Sequence, residues 1–394
     1  MGRSNCSRYF GAGRTLAALL VTLTGLAACG PPVEVPEQTP TSPSRATPTP
    51  EQTLPSEDGL KEVGKGLYLK GKLPPAGMEF IDHVVVTGDW KEFESQNQQF
   101  SGPGWDRLAE IMDNPRLKVR LRIQAGIGSP VFVKRLGGPP VSGDGVDCSE
   151  EGGIAISKRA STADGVALLA SEGCVPYFWT GPVLEQYEEL MEEVGRRYES
   201  NPRLLDVVDS ACTTFFAEPF IRAGRSRTTN ARLFEAGLNE GTDEACLRRS
   251  VEIHDRVFPT TRVSLATHSA WQIISDPERV RAGVTLSWDL ERALLDDLRR
   301  EYGAKLVVQN NGLGGDEGCR RGEGDDSNFC WLANAAPPKG FQTEGGKRLN
   351  TRGQTVLDAV GRAVEMGACF VEHNEFGDDP AAAEDYDKRL KDNC

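Results

Sequence analysis

Short apolar runs in this chain end repeatedly on a polar residue, and a helical pattern then follows. Ile81–Val86 leads to Asp89, Val119–Ile123 to Gln124, and Leu204–Val208 toward Glu218. Arg262–Ala266 leads to His268, Lys305–Gln309 to Asn310, Gly340–Thr343 to Glu344, and Ala368–Val371 to Glu372. Strands alternating with helices imply a parallel sheet. Polar residues at so many strand ends favour the closed form of such a sheet, in which every strand C-terminus opens on one mouth. A doubly wound sheet has no need of them. With Gly66–Leu69 as a short first strand the tally reaches eight. The expected fold class is α/β, a (β/α)8 TIM barrel with long disulfide-tied βα loops.

The third strand shows the two faces of such a barrel most plainly. Val119, Leu121 and Ile123 share one side, and Arg120, Arg122 and Gln124 the other. The apolar side is expected to meet the helices. The polar side is expected to point inward, with Gln124 and Arg122 nearest the mouth. Between strands, Gly104–Asn114 reads as an amphipathic helix. Leu184, Tyr187, Met191, Val194 and Tyr198 form the stripe of another, opened by Pro182 and stopped before Asn201-Pro202. His254 shares a helix face with Leu247, Val251 and Phe258, and reads as a packed residue rather than a ligand. A helix starting at Asp276-Pro277 carries Leu290, Leu294, Leu298 and Tyr302 and stops at Gly303. Val284–Trp288 has an alternative reading as an extra strand. Val356, Val360 and Ala363 mark the last helix before Gly367. The stretch Gly126–Trp179 is too long for a plain connection, and Cys148 and Cys174 bracket most of it. An ordered loop on the mouth's rim is expected there.

The N-terminus carries a different message. Arg3, Arg8 and Arg14 precede the apolar run Leu16–Leu26, which is too short to span a membrane and reads as a signal peptide. The run ends in Leu26-Ala27-Ala28-Cys29 and resembles the bacterial lipobox, which implies lipidation of Cys29 and a membrane-anchored protein facing away from the cytoplasm. Residues 30–58, rich in Pro, Thr, Ser and Glu, have little apolar surface to offset the entropy of ordering. Extended at about 3 Å per residue, they form a tether reaching up to roughly 90 Å. The expected division is a signal over 1–28, a tether over 29–60 and one barrel domain over 61–394. The net charge of −13 falls further once the three signal arginines are removed, which speaks against a nucleic-acid partner. Beyond Cys6 and Cys29 there are eight cysteines, an even number suited to disulfides in an exported protein. The expected pairs are Cys148–Cys174, Cys212–Cys246, Cys319–Cys330 and Cys369–Cys394. With no CxxC pair and four scattered histidines (83, 254, 268, 373), no metal or other cofactor is expected.

Two carboxylates at one barrel mouth suit glycoside hydrolysis, one protonating the leaving oxygen while the other attacks carbon or activates water. Arg197-Tyr198-Glu199-Ser200-Asn201-Pro202 ahead of strand four, Glu218-Pro219 after it, and Glu344 at the end of strand seven carry a family likeness. Residues 62–376 resemble the clan of (β/α)8 retaining glycosidases related to cellulases and β-galactosidases. The resemblance implies Glu218 as acid/base and Glu344 as nucleophile, acting on a poly- or oligosaccharide. The chain departs from the clan in having Ala217 where an Asn usually precedes the acid. It also lacks the clan's aromatic on strand eight, and Glu372 near that place is an alternative second carboxylate. Phe215, Phe216 and Phe220 around Glu218 suggest a desolvated carboxyl, fit for a general acid. Arg122 is a candidate partner for a charged carboxylate. Trp90, Phe178, Trp179 and Trp331 are candidates to stack on sugar rings, and Gln124, His268, Asn310 and Asn311 to bond hydroxyls. Gly312-Leu313-Gly314-Gly315 lacks the lysine of a phosphate loop, and no GxSxG elbow occurs. The competing expectation is a barrel that has lost catalysis and binds carbohydrate or envelope components.

Overall fold

A computed structural model of the chain describes residues 58–158, 171–219, 227–267, 288–316, 319, 328–377 and 379–394. The signal and tether expected before residue 58, with Cys29, lie outside the described residues, as do His268, Phe220, the Asp276-Pro277 helix start and nearly all of Val284–Trp288.

Eight parallel strands close into a barrel. They are β1 (Gly66–Lys70), β2 (His83–Asp89), β3 (Lys118–Gln124), β6 (Leu204–Val208), β7 (Arg262–Thr267), β8 (Leu306–Leu313), β9 (Lys339–Thr343) and β10 (Phe370–His373). The remaining two, β4 (Ile154–Lys158) and β5 (Ser171–Val175), form an antiparallel hairpin in the connection after β3. The helices are α1 (Pro103–Asp113), α2 (Val131–Lys134), α3 (Gly181–Tyr198), α4 (Arg227–Glu235), α5 (Glu240–Val257), α6 (Trp288–Tyr302), α7 (Asn328–Asn334), α8 (Gly346–Thr351), α9 (Val356–Glu365) and α10 (Pro380–Asp392). No helix lies between β1 and β2, and among the described residues none is long and apolar enough to cross a membrane.

The main apolar core lies between barrel and helices. Val119, Leu121 and Ile123 turn outward and pack in one buried cluster with Leu108, Tyr187 and Leu190. The inward face of β3 instead places two guanidiniums on the barrel axis. Arg120 donates to Asp206 through Nε at 2.5 Å and Nη2 at 3.1 Å, and through Nη1 to Gln309 at 2.7 Å and Glu372 at 2.6 Å. Its Cζ stands 3.9 Å from the centre of the Phe370 ring. A buried guanidinium needs its donors satisfied and its charge offset, and the strand register arranges this. Between Val119 and Arg120 the pairing with β6 slips by one residue, which sets Asp206 rather than Leu205 opposite Arg120.

All four expected disulfides are present. Cys148–Cys174 ties β5 to the segment ahead of β4. Cys212–Cys246 fastens the segment after β6 to α5, and Cys369–Cys394 holds the C-terminus beside β10. Two strands differ from expectation in extent. The sixth barrel strand continues to Leu313, so Asn310 and Asn311 lie within it. The eighth begins at Phe370 rather than Ala368, because Gly367 (φ +72°) and the two residues after it still belong to the turn from α9. It also runs on to His373, two residues past the expected end, so Glu372 sits inside the strand, level with Tyr68 and Gln342.

Candidate active site

At the C-terminal end of the barrel the described residues enclose a cavity of about 320 Å³. Glu218 and Glu344 both line it, together with Lys70, Arg122, Gln124, Asn311, Gln342 and Arg348. Each arrives for a local reason. Lys70, Gln124 and Gln342 are the last inward positions of their strands, Arg122 is the inward position before Gln124, and Asn311 continues the inward series of β8 after Gln309. Glu344 follows β9 directly, and its backbone N–H donates to Leu313 at 2.9 Å, which holds it against the end of β8.

Glu218 stands ten residues past β6, so the intervening segment must position it. Cys212 is bonded to Cys246 on α5. Asp209 accepts from Ser250 of the same helix at 2.6 Å, and Thr213 donates to the Ser210 carbonyl at 2.7 Å. Ile127 donates its N–H to the Thr214 carbonyl at 2.9 Å, and a side chain on Gly126 would collide with that oxygen. The segment is thus clamped from both sides.

A chain of oriented amides reaches Glu218 from the barrel core. Arg120 can only donate, so the Gln309 amide turns its oxygen toward it. The Gln309 nitrogen then donates to Asn311 Oδ1 at 2.5 Å, and Asn311 Nδ2 donates to Glu218 Oε1 at 2.7 Å. Glu218 Oε2 is buried and has no hydrogen-bond partner among the described residues. No cation lies within salt-bridge distance of Glu218 among them.

Glu344 meets a different environment. Arg348 Nε lies 3.0 Å from its Oε1 and Arg352 Nη1 3.3 Å from its Oε2. Both arginines come from α8 and the residue just past its end, and both favour negative charge on the carboxylate. The two carboxyl groups therefore share a cavity but differ in partners, one held by an amide and the other by guanidiniums.

Glu372 lies behind Arg122, which donates to its Oε2 at 2.7 Å, and it is fully buried. Burial works against its charge, but Arg122 and Arg120 outweigh burial and pull its pKa down to about 2. This is an anion that fills the barrel between two arginines. The expectation that Arg122 partners a charged carboxylate thus finds Glu372, with Gln342 as a second acceptor at 2.9 Å.

Other expected site residues lie elsewhere. Trp90 (1% exposed) and Phe178 (0%) are core residues closed to a sugar ring. The Trp90 Nε1 donates to Glu94 at 2.9 Å. Trp331 is on α7 and donates to Asp296 of α6. Trp179 is partly buried against Phe178. Asn310 alternates outward from Asn311 and faces Thr267 at 3.4 Å. His254 is a core residue, bonded to Tyr187 at 3.0 Å, and burial lowers its pKa to about 3.

Sequence reasoning missed Lys70, Gln342, Arg348 and the Arg120–Gln309 pair. Period-two spacing held a signal for some of them. Lys70 shares the inward face of β1 with Tyr68, and Gln309 precedes Asn311 by two. Arg348, on a short helix after Glu344, has no such signal. Among the described residues, no group of His, Cys, Asp and Glu could hold a metal.

No family model matches the chain, and no curated protein matches it. Among solved structures it is similar to endo-glycoceramidase II from Rhodococcus sp. The lactosyl-enzyme intermediate of that protein is 14% identical over 83% of this chain and 76% of its own, with a TM-score of 0.39. Its ganglioside GM3 complex is 12% identical at the same coverage and TM-score. Its cellobiose-like isofagomine complex is 14% identical over 79% of this chain and 74% of its own, again at 0.39. A likeness of that size adds nothing to what the strand order already states about the fold.

Proposed function

We propose that this protein is a glycoside hydrolase acting on a poly- or oligosaccharide, with Glu218 as acid/base and Glu344 as the second carboxylate. One observation carries the proposal. Two glutamates, one on the segment after the fourth barrel strand and one directly after the seventh, line a single mouth cavity with unlike partners. Hydrolysis of a glycosidic bond asks for one carboxyl that gives up a proton and one that stays charged. Glu218 Oε1 is occupied by the Asn311 amide, which leaves Oε2 as the oxygen to carry the proton toward the leaving group. Glu344, beside Arg348 and Arg352, suits the charged role, attacking the anomeric carbon or activating water. Glu372 is assigned the support of Arg122 and the barrel floor. Gln124 and Gln342 are suited to bond sugar hydroxyls.

The clan resemblance around Arg197–Pro202 and Glu218-Pro219 agrees with these roles. Ala217, in the place where that clan carries Asn, favours a second reading, a barrel that binds glycan without cleaving it. The lipobox-like Cys29 and the Pro/Thr-rich stretch after it support a location on the outer side of the cytoplasmic membrane, with the barrel domain lifted on a tether. Fluorinated aryl glycosides of several sugars, followed by mass spectrometry of peptides, test the hydrolase assignment. A glycosyl adduct on Glu344 supports it with retention of configuration. An adduct on Glu372 overturns the pairing. Palmitate labelling lost on Cys29→Ser tests the anchor.

A further inference from the structure

Among the described residues, three cations and two carboxylates line the mouth cavity, and two of the cations are matched. Arg348 is paired with Glu344, and Arg122 with Glu372. Lys70 is different. Its side chain is partly buried at the end of β1, and among the described residues its single hydrogen bond runs to Gln342 Oε1 at 3.3 Å. Arg122 draws on that same neutral oxygen at 2.9 Å. Lys70 makes no ion pair among the described residues. Arg122 adds to the imbalance, because its Nε is buried without an acceptor. Burial, reinforced by the nearby Arg122 charge, pulls the Lys70 pKa below its ordinary value, with Glu372 and Glu218 opposing from a distance. An ammonium taken partly out of water beside a guanidinium is costly unless something negative joins it. The imbalance deepens when Glu218 acts as the acid, since a negative charge lining the cavity is then absent.

We propose that the cavity takes a sugar bearing an anionic substituent, a carboxylate or a sulfate, and that Lys70 is the residue that binds it. The inference rests on the assignment of this cavity as the glycan site, and goes beyond it by naming the substrate class. A neutral ring would leave Lys70 with the half-share of one amide oxygen. An anionic group within reach of its Nζ would form a charge-assisted hydrogen bond and offset the Lys70–Arg122 repulsion. Lys70 and Glu218 share the cavity, so the charged sugar would sit in contact with the reacting ring or be that ring.

The test measures binding, so it does not depend on turnover. The full domain carrying Glu218→Gln is titrated calorimetrically with matched oligosaccharide sets. These are neutral cello-, manno- and xylo-oligosaccharides, uronate oligomers from pectate, alginate and hyaluronan, and sulfated oligomers from chondroitin sulfate. At least one anionic set is expected to bind ten-fold or more tighter than every neutral set. Adding Lys70→Met should remove that preference, and Lys70→Arg should keep most of it. Uronate against sulfate tells which anion the site takes. The inference is overturned if the neutral sets bind as tightly as the anionic ones. It is overturned as well if Lys70→Met, with its melting temperature unchanged, keeps the preference, or if no set binds. Wild-type cleavage of neutral oligosaccharides without any anionic preference would leave the hydrolase assignment standing and remove this one. An anionic preference without cleavage of any set would do the reverse.

Discussion

Replacing Glu372 by Gln separates a structural carboxylate from a catalytic one. The side chain is fully buried and accepts from Arg120 at 2.6 Å and Arg122 at 2.7 Å. A Gln can offer one oxygen, so its NH₂ would face one of the two guanidiniums. Removing one partner of a buried pair costs about 3–5 kcal/mol. A second figure of the same order follows from the lowered pKa. The fall of the Glu372 pKa from 4.5 to about 2 corresponds to about 3 kcal/mol of stability at neutral pH. The two figures agree, and for a domain of this size each kcal/mol moves Tm by roughly 2 °C. Glu372→Gln should therefore lower Tm by about 5–10 °C at pH 7, read by circular dichroism. The sign with pH follows from the depressed value. The stabilisation is whole above about pH 4.5 and fades as pH falls toward 2, so the gap between wild type and variant should close in acid. A Tm within about 2 °C of wild type at pH 7, together with a hundred-fold loss of turnover, would refute this reasoning and make Glu372 a reacting group.

Three further outcomes are expected. Serine at both Cys212 and Cys246 should cost about 2–5 kcal/mol and reduce turnover more than substrate affinity, because the bond clamps the segment that aims Glu218; unchanged kcat with lowered Tm would contradict the aiming role. Burial lifts the Asp209 pKa to about 6, against an ordinary 3.8, so wild type should gain up to about 3 kcal/mol as pH falls from 7 toward 4 from this group. Asp209→Asn should lack that gain, and urea melts at the two pH values would show it. Asn311→Ala removes the donor to Glu218 Oε1, a hydrogen bond to an ionisable group of the kind worth about 1.5–3 kcal/mol, so kcat should fall at least ten-fold with a small change in Tm.

The barrel was legible because short apolar runs alternate with helical patterns and most of them lead to a polar residue, so successive units repeat one message. Val119 to Gln124 alone states which face is inside. The disulfides match the expected pairs because each joins a cysteine to the next one along the chain, although sequence alone does not fix connectivity. Strand ends were less so. Nothing local marks Glu372-His373 as strand, since both are polar, and an end expected two residues too early left Glu372 at the mouth instead of inside the barrel. The inward place of Asp206 depends on a register slip against β3, a property of two strands together. The aromatics misled for a related reason. Trp90 and Phe178 follow strands in sequence, but their large apolar surfaces are drawn into the core rather than left at the rim. Lys70 and Arg348 matter through what stands across the cavity, which no window of sequence contains.

The most direct test of the central claim is release of reducing sugar from a glycan panel by the wild-type domain and by Glu218→Gln. Wild type is expected to cleave at least one glycan. The variant should lose on the order of 10²–10⁴-fold in rate, and less on substrates whose leaving group needs no proton. Equal rates for the two proteins, or no cleavage of any glycan by wild type, would contradict the account.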